Sequence, residues 1–194
     1  MNTKTKLPIY RQTISKNLYA RYYKESMVDG SGVRNSLYVS GCLFNCKGCY
    51  NKSIQDFNAG EPFTKEIHDS IVADLKPDHI NGITLLGGEP FLNLNIILPL
   101  VRDIRKTYGK HKNIWSWTGF TWEELMEIIT IGDEDSIKIK EYLENLDILV
   151  DGRFEQSLFE HNLTFRGSRN QRIIDVPKSL SSEKIVLWKN GEYK

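Results

Sequence analysis

Along the 194 residues the apolar positions change period several times. Phe63, Ile67, Ile71 and Leu75 recur every fourth position with Val72 beside them, which predicts a helix over residues 63–75. The short apolar run at 80–86 reads as a buried strand that ends in Gly87-Gly88-Glu89-Pro90. A second helix is predicted over 95–108, with Ile97, Leu100, Val101, Ile104 and Tyr108 on its buried side and Gly109 as its C-terminal cap. Pro99 fits that helix only near its first turn. Residues 113–118 form a third strand, counting 35–41 as the first. Thr121 and Glu124 make a capping box, and Phe120 with Leu125 has staple spacing, so a helix begins at Trp122. Gly132 interrupts it, a further helical piece covers 135–145, and a strand follows at 147–150.

Strands alternating with helices predict a parallel sheet of right-handed strand-helix-strand units. The chain is short for a closed eight-stranded barrel of about 250 residues. The expected fold is therefore α/β, a partial, open TIM-like barrel of parallel strands with helices on the outside. In the tail, residues 163–165, 172–176 and 184–188 read as short strands, and Asn190-Gly191 as a turn. No internal repeat, low-complexity stretch or linker divides the chain, so one domain is expected.

A balance of 40% hydrophobic and 26% charged residues is ordinary for a globular protein, and a net charge of +1 gives no general attraction to nucleic acid or membrane. The exception is residues 1–27, a basic arm with Lys4, Lys6, Arg11, Lys16, Arg21 and Lys24 among Tyr10, Tyr19, Tyr22 and Tyr23. Such a mixture can bind single strands; here it is read as a solvated arm, or one packing its tyrosines on the domain or a partner. No apolar run reaches membrane-spanning length and no signal-peptide core opens the chain, so neither nucleic acid nor membrane is expected as a partner, and the cytoplasm is the expected compartment.

All the cysteines, Cys42, Cys46 and Cys49, fall within eight residues in the loop after the first strand. Three neighbouring thiolates can converge on one inorganic centre. A complete iron-sulfur cage uses four, and the vacancy marks a centre left open for chemistry, as catalytic zinc keeps a position for water or substrate. The same residues admit a zinc site completed by His68, His79 or His111, or a redox pair at Cys46 and Cys49. In a parallel sheet ligands gather beyond the carboxyl ends of the strands. The cysteines, Gly87 to Pro90, Ser116 with Thr118, and Asp151-Gly152-Arg153 all lie at such ends.

The spacing Cys-x-x-x-Cys-x-x-Cys resembles the signature of the radical S-adenosylmethionine (SAM) enzymes, and Gly87-Gly88-Glu89-Pro90 resembles their methionine-amine segment. Within that superfamily, Cys49-Tyr-Asn-Lys52, Trp117-Thr-Gly-Phe120, Leu149-Val-Asp-Gly-Arg-Phe154 and Phe165-Arg-Gly-Ser-Arg-Asn-Gln-Arg172 are similar to the activating proteins of anaerobic (class III) ribonucleoside-triphosphate reductase. The resemblance implies a single radical SAM domain at 28–194, with the basic arm part of it. It implies a [4Fe-4S] cluster on Cys42, Cys46 and Cys49 and SAM held by Gly48, Cys49, Tyr50, Gly87, Gly88, Glu89, Ser116, Asp151 and Arg153. Tyr50 stands where family members place an aromatic ring near adenine, and Glu89 either assists the amine or orders its loop. Arg153 stands where many relatives have lysine and Ser31 where they often have proline. Arg166, Arg169 and Arg172 would meet SAM or the reductase, or form a solvated cluster. No further catalytic side chain is required, and His68, His79, His111 and His161 are left as surface or structural residues. The implied reaction is reductive cleavage of SAM to a 5'-deoxyadenosyl radical, which takes a hydrogen atom from a glycine of the reductase large subunit. Its electron comes from a low-potential donor such as flavodoxin. The alternatives are an activase of another glycyl-radical enzyme, of the pyruvate formate-lyase type, and a non-catalytic zinc-binding adaptor.

Overall fold

The computed structural model describes residues 7–189; Lys4, Lys6 and the Asn190-Gly191 turn lie outside them. Within that range seven strands form one open sheet: β1 (Leu18–Ser26), β2 (Arg34–Val39), β3 (Glu61–Pro62), β4 (Gly82–Gly87), β5 (Asn113–Trp117), β6 (Ile148–Asp151) and β7 (Arg172–Asp175). Their spatial order is β3-β1-β2-β4-β5-β6-β7. Five α-helices accompany it: α1 (Lys65–Asp74), α2 (Leu94–Tyr108), α3 (Trp122–Ile129), α4 (Glu134–Asn145) and α5 (Val176–Ser182). Among the described residues, no helix is long and apolar enough to cross a membrane.

The four central strands, β2-β4-β5-β6, are parallel, and helices connect β4 to β5 and β5 to β6. The flanks are antiparallel, β1 on β2, β3 on β1 and β7 on β6, so the all-parallel expectation holds only for the centre. Strand alternation divides the side chains between two faces. Leu37, Val39, Ile83, Leu85, Ile114 and Leu149 pack with the helices in the main core. On the other face Trp115 and Ile148 pack with Trp188 of the tail. There Arg34 is fully buried, its guanidinium donating to Thr84 Oγ1 (2.6 Å), Ile83 O (2.9 Å) and Ser31 O (2.9 Å) and lying 5.0 Å from the Trp115 ring. Burial lowers its pKa to about 9, with Asp147 and Asp29 opposing that pull.

Several local signals act as expected. The capping box is formed, Thr121 Oγ1 accepting from Glu124 N while Glu124 Oε2 accepts from Thr121 N. Gly109 closes α2 at φ +58°, donating to Arg105 O at 2.9 Å. Pro99 departs from its expected place, lying inside α2 beyond the first turn at an exposed position. In the tail, two of the three expected short strands are absent. The 163–165 stretch is a turn, with Phe165 at φ +53° packing edge-on to Trp115. Residues 184–188 touch β7 by a single bridge, Leu187 to Ile174, rather than forming a strand.

Candidate functional site

The register of the parallel strands brings the predicted loops together. β2 and β4 pair from Arg34 with Gly82 to Val39 with Gly87, so the cysteine loop and the Gly87-Gly88 loop leave the sheet side by side. Gly88 N donates to Val39 O and Glu89 N to Gly41 O, each at 2.8 Å. The cysteine loop is held from both ends. Cys42 N donates to Gln55 O at 2.9 Å, and the Phe44 ring packs edge-on to Phe120 at 4.9 Å, with the Arg153 guanidinium 4.5 Å from it.

Two adjoining chambers open at this end of the sheet. The smaller, about 130 Å³, is lined by Cys42, Cys46, Cys49, Gly87, Gly88 and Glu89, with Phe44, Thr118 and Gly152 among its other walls. The larger, about 680 Å³, is lined by Tyr50, Tyr38, Phe154, Phe159, Phe165 and Arg166, among others. Cys49, Asn51, Leu86, Trp117 and Gln171 border both, so the two spaces lie side by side.

The three thiols are free and half-buried. Burial, with the Glu89 carboxylate adding to it, pushes the Cys42 thiol up to about 12. Burial also raises Cys46, against the pull of the Phe154 and Cys46 N–H groups. Such a site stabilises thiolates only when cationic iron offsets their charge. Among the described residues, no three His, Cys, Asp or Glu side chains converge tightly enough to hold one metal ion. Instead three thiols line one chamber, a donor set suited to a multi-iron cluster with each thiolate on its own iron. His68, His79 and His111 line neither chamber; His68 pairs with Asp103 at 2.9 Å and His79 with Glu25 at 3.2 Å.

Other predicted residues divide sharply. Tyr50 borders the larger chamber, 74% exposed, with its ring tilted against Phe154 and Phe159. Gly48, at φ +76°, forms the turn between Cys46 and Cys49 and lies against the Gln156 side chain. Ser116 and Asp151 point to the helix face. The Ser116 hydroxyl accepts from Tyr142 OH at 2.9 Å, while Asp151 accepts from Trp122 N (2.7 Å) and Arg172 Nε (3.0 Å). Arg153 makes a two-pronged pair with Glu124 at 3.0 and 3.1 Å. Arg172 is committed to Asp151 and Glu123, Arg169 is exposed beside Glu160, and Arg166 lines the larger chamber with its Nε buried and unpartnered. His161, set aside on sequence grounds, also borders that chamber, 4.7 Å from the Phe159 ring. Trp117, Gln171 and Phe44 line the site although sequence reasoning does not single them out. For Trp117 a signal exists: alternation along β5 puts Trp115 and Trp117 on the face opposite Ser116.

Glu89 is fully buried, and its carboxylate accepts from Phe91 N (3.0 Å), Thr118 Oγ1 (2.9 Å) and Gly119 N (2.8 Å). It ties the loop after β4 to the loop after β5. Burial pushes its pKa up from 4.5 to about 7, against those donors and Arg153. The folded state then keeps a proton that the unfolded chain has released, so stability is full below about pH 4.5 and falls as pH rises through about 7. In the metal-free protein the expected loss across that window is up to about 3 kcal/mol. Urea unfolding at a series of pH values measures it, and Glu89→Gln should flatten the slope; an equal slope in the variant would assign it to other groups.

Comparison with known proteins agrees with this construction. The family model of a 4Fe-4S single cluster domain matches residues 28–174. The chain is similar to the anaerobic ribonucleoside-triphosphate reductase-activating protein of Vibrio cholerae, 42% identical over 159 residues, covering 80% of this chain and 96% of that one. The protein of the same name from Escherichia coli K12 is 41% identical, covering 79% and 95%; that of Enterobacteria phage T4 is 34% identical, covering 80% and 92%. Similarity at this level over most of both chains, with three free thiols in one chamber of the matched single-cluster domain, places this chain in the family of the anaerobic ribonucleoside-triphosphate reductase-activating proteins.

Proposed function

We propose that this protein is a radical SAM activase that places a glycyl radical on an anaerobic ribonucleoside-triphosphate reductase. The observation that carries the reading is the adjacency of the two chambers, thiols in one and aromatic rings in the other, with Cys49 bordering both. Cys42, Cys46 and Cys49 would hold a [4Fe-4S] cluster. When bound, that group supplies the electron that splits the C5'–S bond of SAM, leaving a fragment able to take a hydrogen atom from a glycine of the partner.

The chain's own residues bind, orient and exclude water. Gly87 and Gly88, without side chains, expose backbone at the chamber wall to the SAM amine. Tyr50 flanks the adenine end, Gly48 shapes the turn that presents Cys49 and Tyr50, and Trp117 and Leu86 give both chambers apolar lining. Glu89 acts by ordering the Gly87-Gly88 loop, and Arg153 by clamping Phe44 and adding positive charge beside Cys46. Ser116 and Asp151 support the site from behind the sheet.

We read the four parallel strands, with their helices on one face, as the segment of an open TIM-like barrel. Residues 28–194 then form one radical SAM domain with the preceding segment built into it, since β1 pairs with β2. The protein works in the cytoplasm, where thiols stay reduced, with a low-potential donor such as flavodoxin. Electron paramagnetic resonance tests the whole reading: the reduced, cluster-loaded protein with SAM and the reductase should give a glycyl-radical doublet. No doublet with the reductase, but one with a different glycyl-radical enzyme, would reassign the partner.

A further inference from the structure

The N-terminal segment reaches the site through two fully enclosed amides. Asn93 is 0% exposed and stands immediately before α2, where an asparagine ordinarily caps its own helix through its side chain. It makes no such cap. Its side-chain amide instead donates to Ser40 O at 3.0 Å and to Glu89 O at 2.9 Å. Ser40 lies two residues before Cys42 and Glu89 directly follows Gly88, so one amide bridges the thiol loop and the glycine loop. The orientation is fixed by chemistry, because two carbonyls can only accept and the Ser15 hydroxyl donates to Asn93 Oδ1 at 2.7 Å.

The first N–H of α2 is instead met by Gln12, which is 2% exposed. Its Oε1 accepts from Leu94 N at 2.8 Å, and its Nε2 donates to Phe91 O at 2.8 Å. Residues 12 and 15 lie outside the region matched by the family model, which starts at 28. They nevertheless hold the 91–94 segment from which Asn93 reaches the two loops that the proposed reaction uses. A bridge between two loops is redundant for folding here, since Gly88 N to Val39 O and Glu89 N to Gly41 O already join them. What the side chain adds is a fixed separation beyond the end of the sheet.

We infer that Asn93 is a positioning residue that sets the distance between the cluster-bearing loop and the SAM-bearing loop, with Gln12 and Ser15 holding it in register. The inference rests on the reading of the two chambers as a cluster and SAM site. It makes the segment before residue 28 part of the cofactor machinery, without contact to either cofactor.

The test compares cluster-loaded wild type with Asn93→Ala, Gln12→Ala, Ser15→Ala and the Gln12→Ala/Asn93→Ala double variant. Iron content, the SAM dissociation constant, the change SAM makes in the reduced-cluster paramagnetic resonance spectrum, and kcat and KM for SAM cleavage are measured. Asn93→Ala should bind iron normally but hold SAM about tenfold more weakly, with KM rising more than kcat falls. Its spectral response to SAM should stay incomplete at concentrations that saturate wild type. Ser15→Ala, which removes one hydroxyl and should fold without difficulty, should weaken SAM by about threefold. The double variant should be no worse than Asn93→Ala, because both act through one bridge. SAM binding by Asn93→Ala and Ser15→Ala within about twofold of wild type would overturn the inference alone. So would a loss of SAM binding strictly proportional to lost iron. Wild-type protein that takes up the cluster but binds no SAM would overturn the underlying reading of the site, and the inference with it.

Discussion

Cys46→Ala protein is expected to assemble no stable iron-sulfur cluster and to cleave no SAM above background, while its metal-free form unfolds at nearly the wild-type urea concentration. The two halves of this expectation have different causes. An iron-sulfur cage is ordinarily held by four thiolates, and this chain offers three, so removal of one leaves two anchors for four irons. The fold has no comparable dependence on Cys46. Its side chain is half-buried in a loop, and that loop is fixed elsewhere, by Cys42 N on Gln55 O and by Phe44 between Phe120 and Arg153. A surface-loop thiol outside such contacts changes stability by no more than about 1 kcal/mol. Visible absorption and iron analysis after anaerobic reconstitution, with chromatography of 5'-deoxyadenosine, measure the first half; urea unfolding measures the second. Retained SAM cleavage would take the cluster out of the chemistry. A large fall in the urea midpoint would make the cysteine loop part of the folding core, and the activity loss would then say nothing about iron.

The central strands, the helices over 65–74, 94–108, 122–129 and 134–145, and the three thiols are legible in the sequence because their signals are local: period, caps and spacing. Strand β1 is not, and its residues read as a basic arm. One reason is that β3 covers only Leu18 and Tyr19, so the rest of β1 is an open edge that leaves Arg21, Tyr23, Lys24 and Glu25 exposed. The other is a bulge. Tyr19 pairs with Val39 but Arg21 with Tyr38, so one extra residue breaks the two-residue period and puts Tyr19 and Tyr22 together against the core. Helix α5 is hidden for a different reason, since 172–176 reads as one strand. Asp175 in fact ends β7 and caps α5, its side chain accepting from Lys178 N at 3.0 Å, with Pro177 in the first turn. In the site, residue type finds the loops but not the directions of the side chains. Ser116 and Asp151 are polar residues at strand ends, as ligand residues often are, yet strand parity turns both toward the helices. Glu89 and Asn93 take their roles from partners 29 and 53 residues away, and no local pattern encodes those.

Gly88→Ala should both destabilise the protein and abolish SAM binding. From the sequence, the paired glycines are explained by a ligand that must approach the backbone. In the structure a second demand is visible, from the neighbouring loop. A Cβ on Gly88 would lie 2.3 Å from Gly41 O and 2.8 Å from the Gly41 backbone N and C, atoms that cannot rotate away. Gly88 is not in the left-handed region, unlike Gly87 at φ +111°, so alanine there introduces no backbone strain of its own and tests close approach alone. To admit the methyl group the seam must open, which stretches Gly88 N to Val39 O and Glu89 N to Gly41 O together. Overpacking plus two weakened buried hydrogen bonds predicts a loss of about 3 kcal/mol. Gly109→Ala is the matched control, because Gly109 has φ +58° but a methyl group there would meet nothing within 4 Å. It should cost only the backbone strain of a side chain at φ +58° and ψ −128°, about 1–3 kcal/mol, and leave SAM binding intact. If Gly88→Ala instead kept wild-type stability and lost only SAM, the glycine would serve the ligand alone. If both fall, the same close approach that seats SAM also holds the thiol loop against β4, and cofactor geometry and fold stability share one seam.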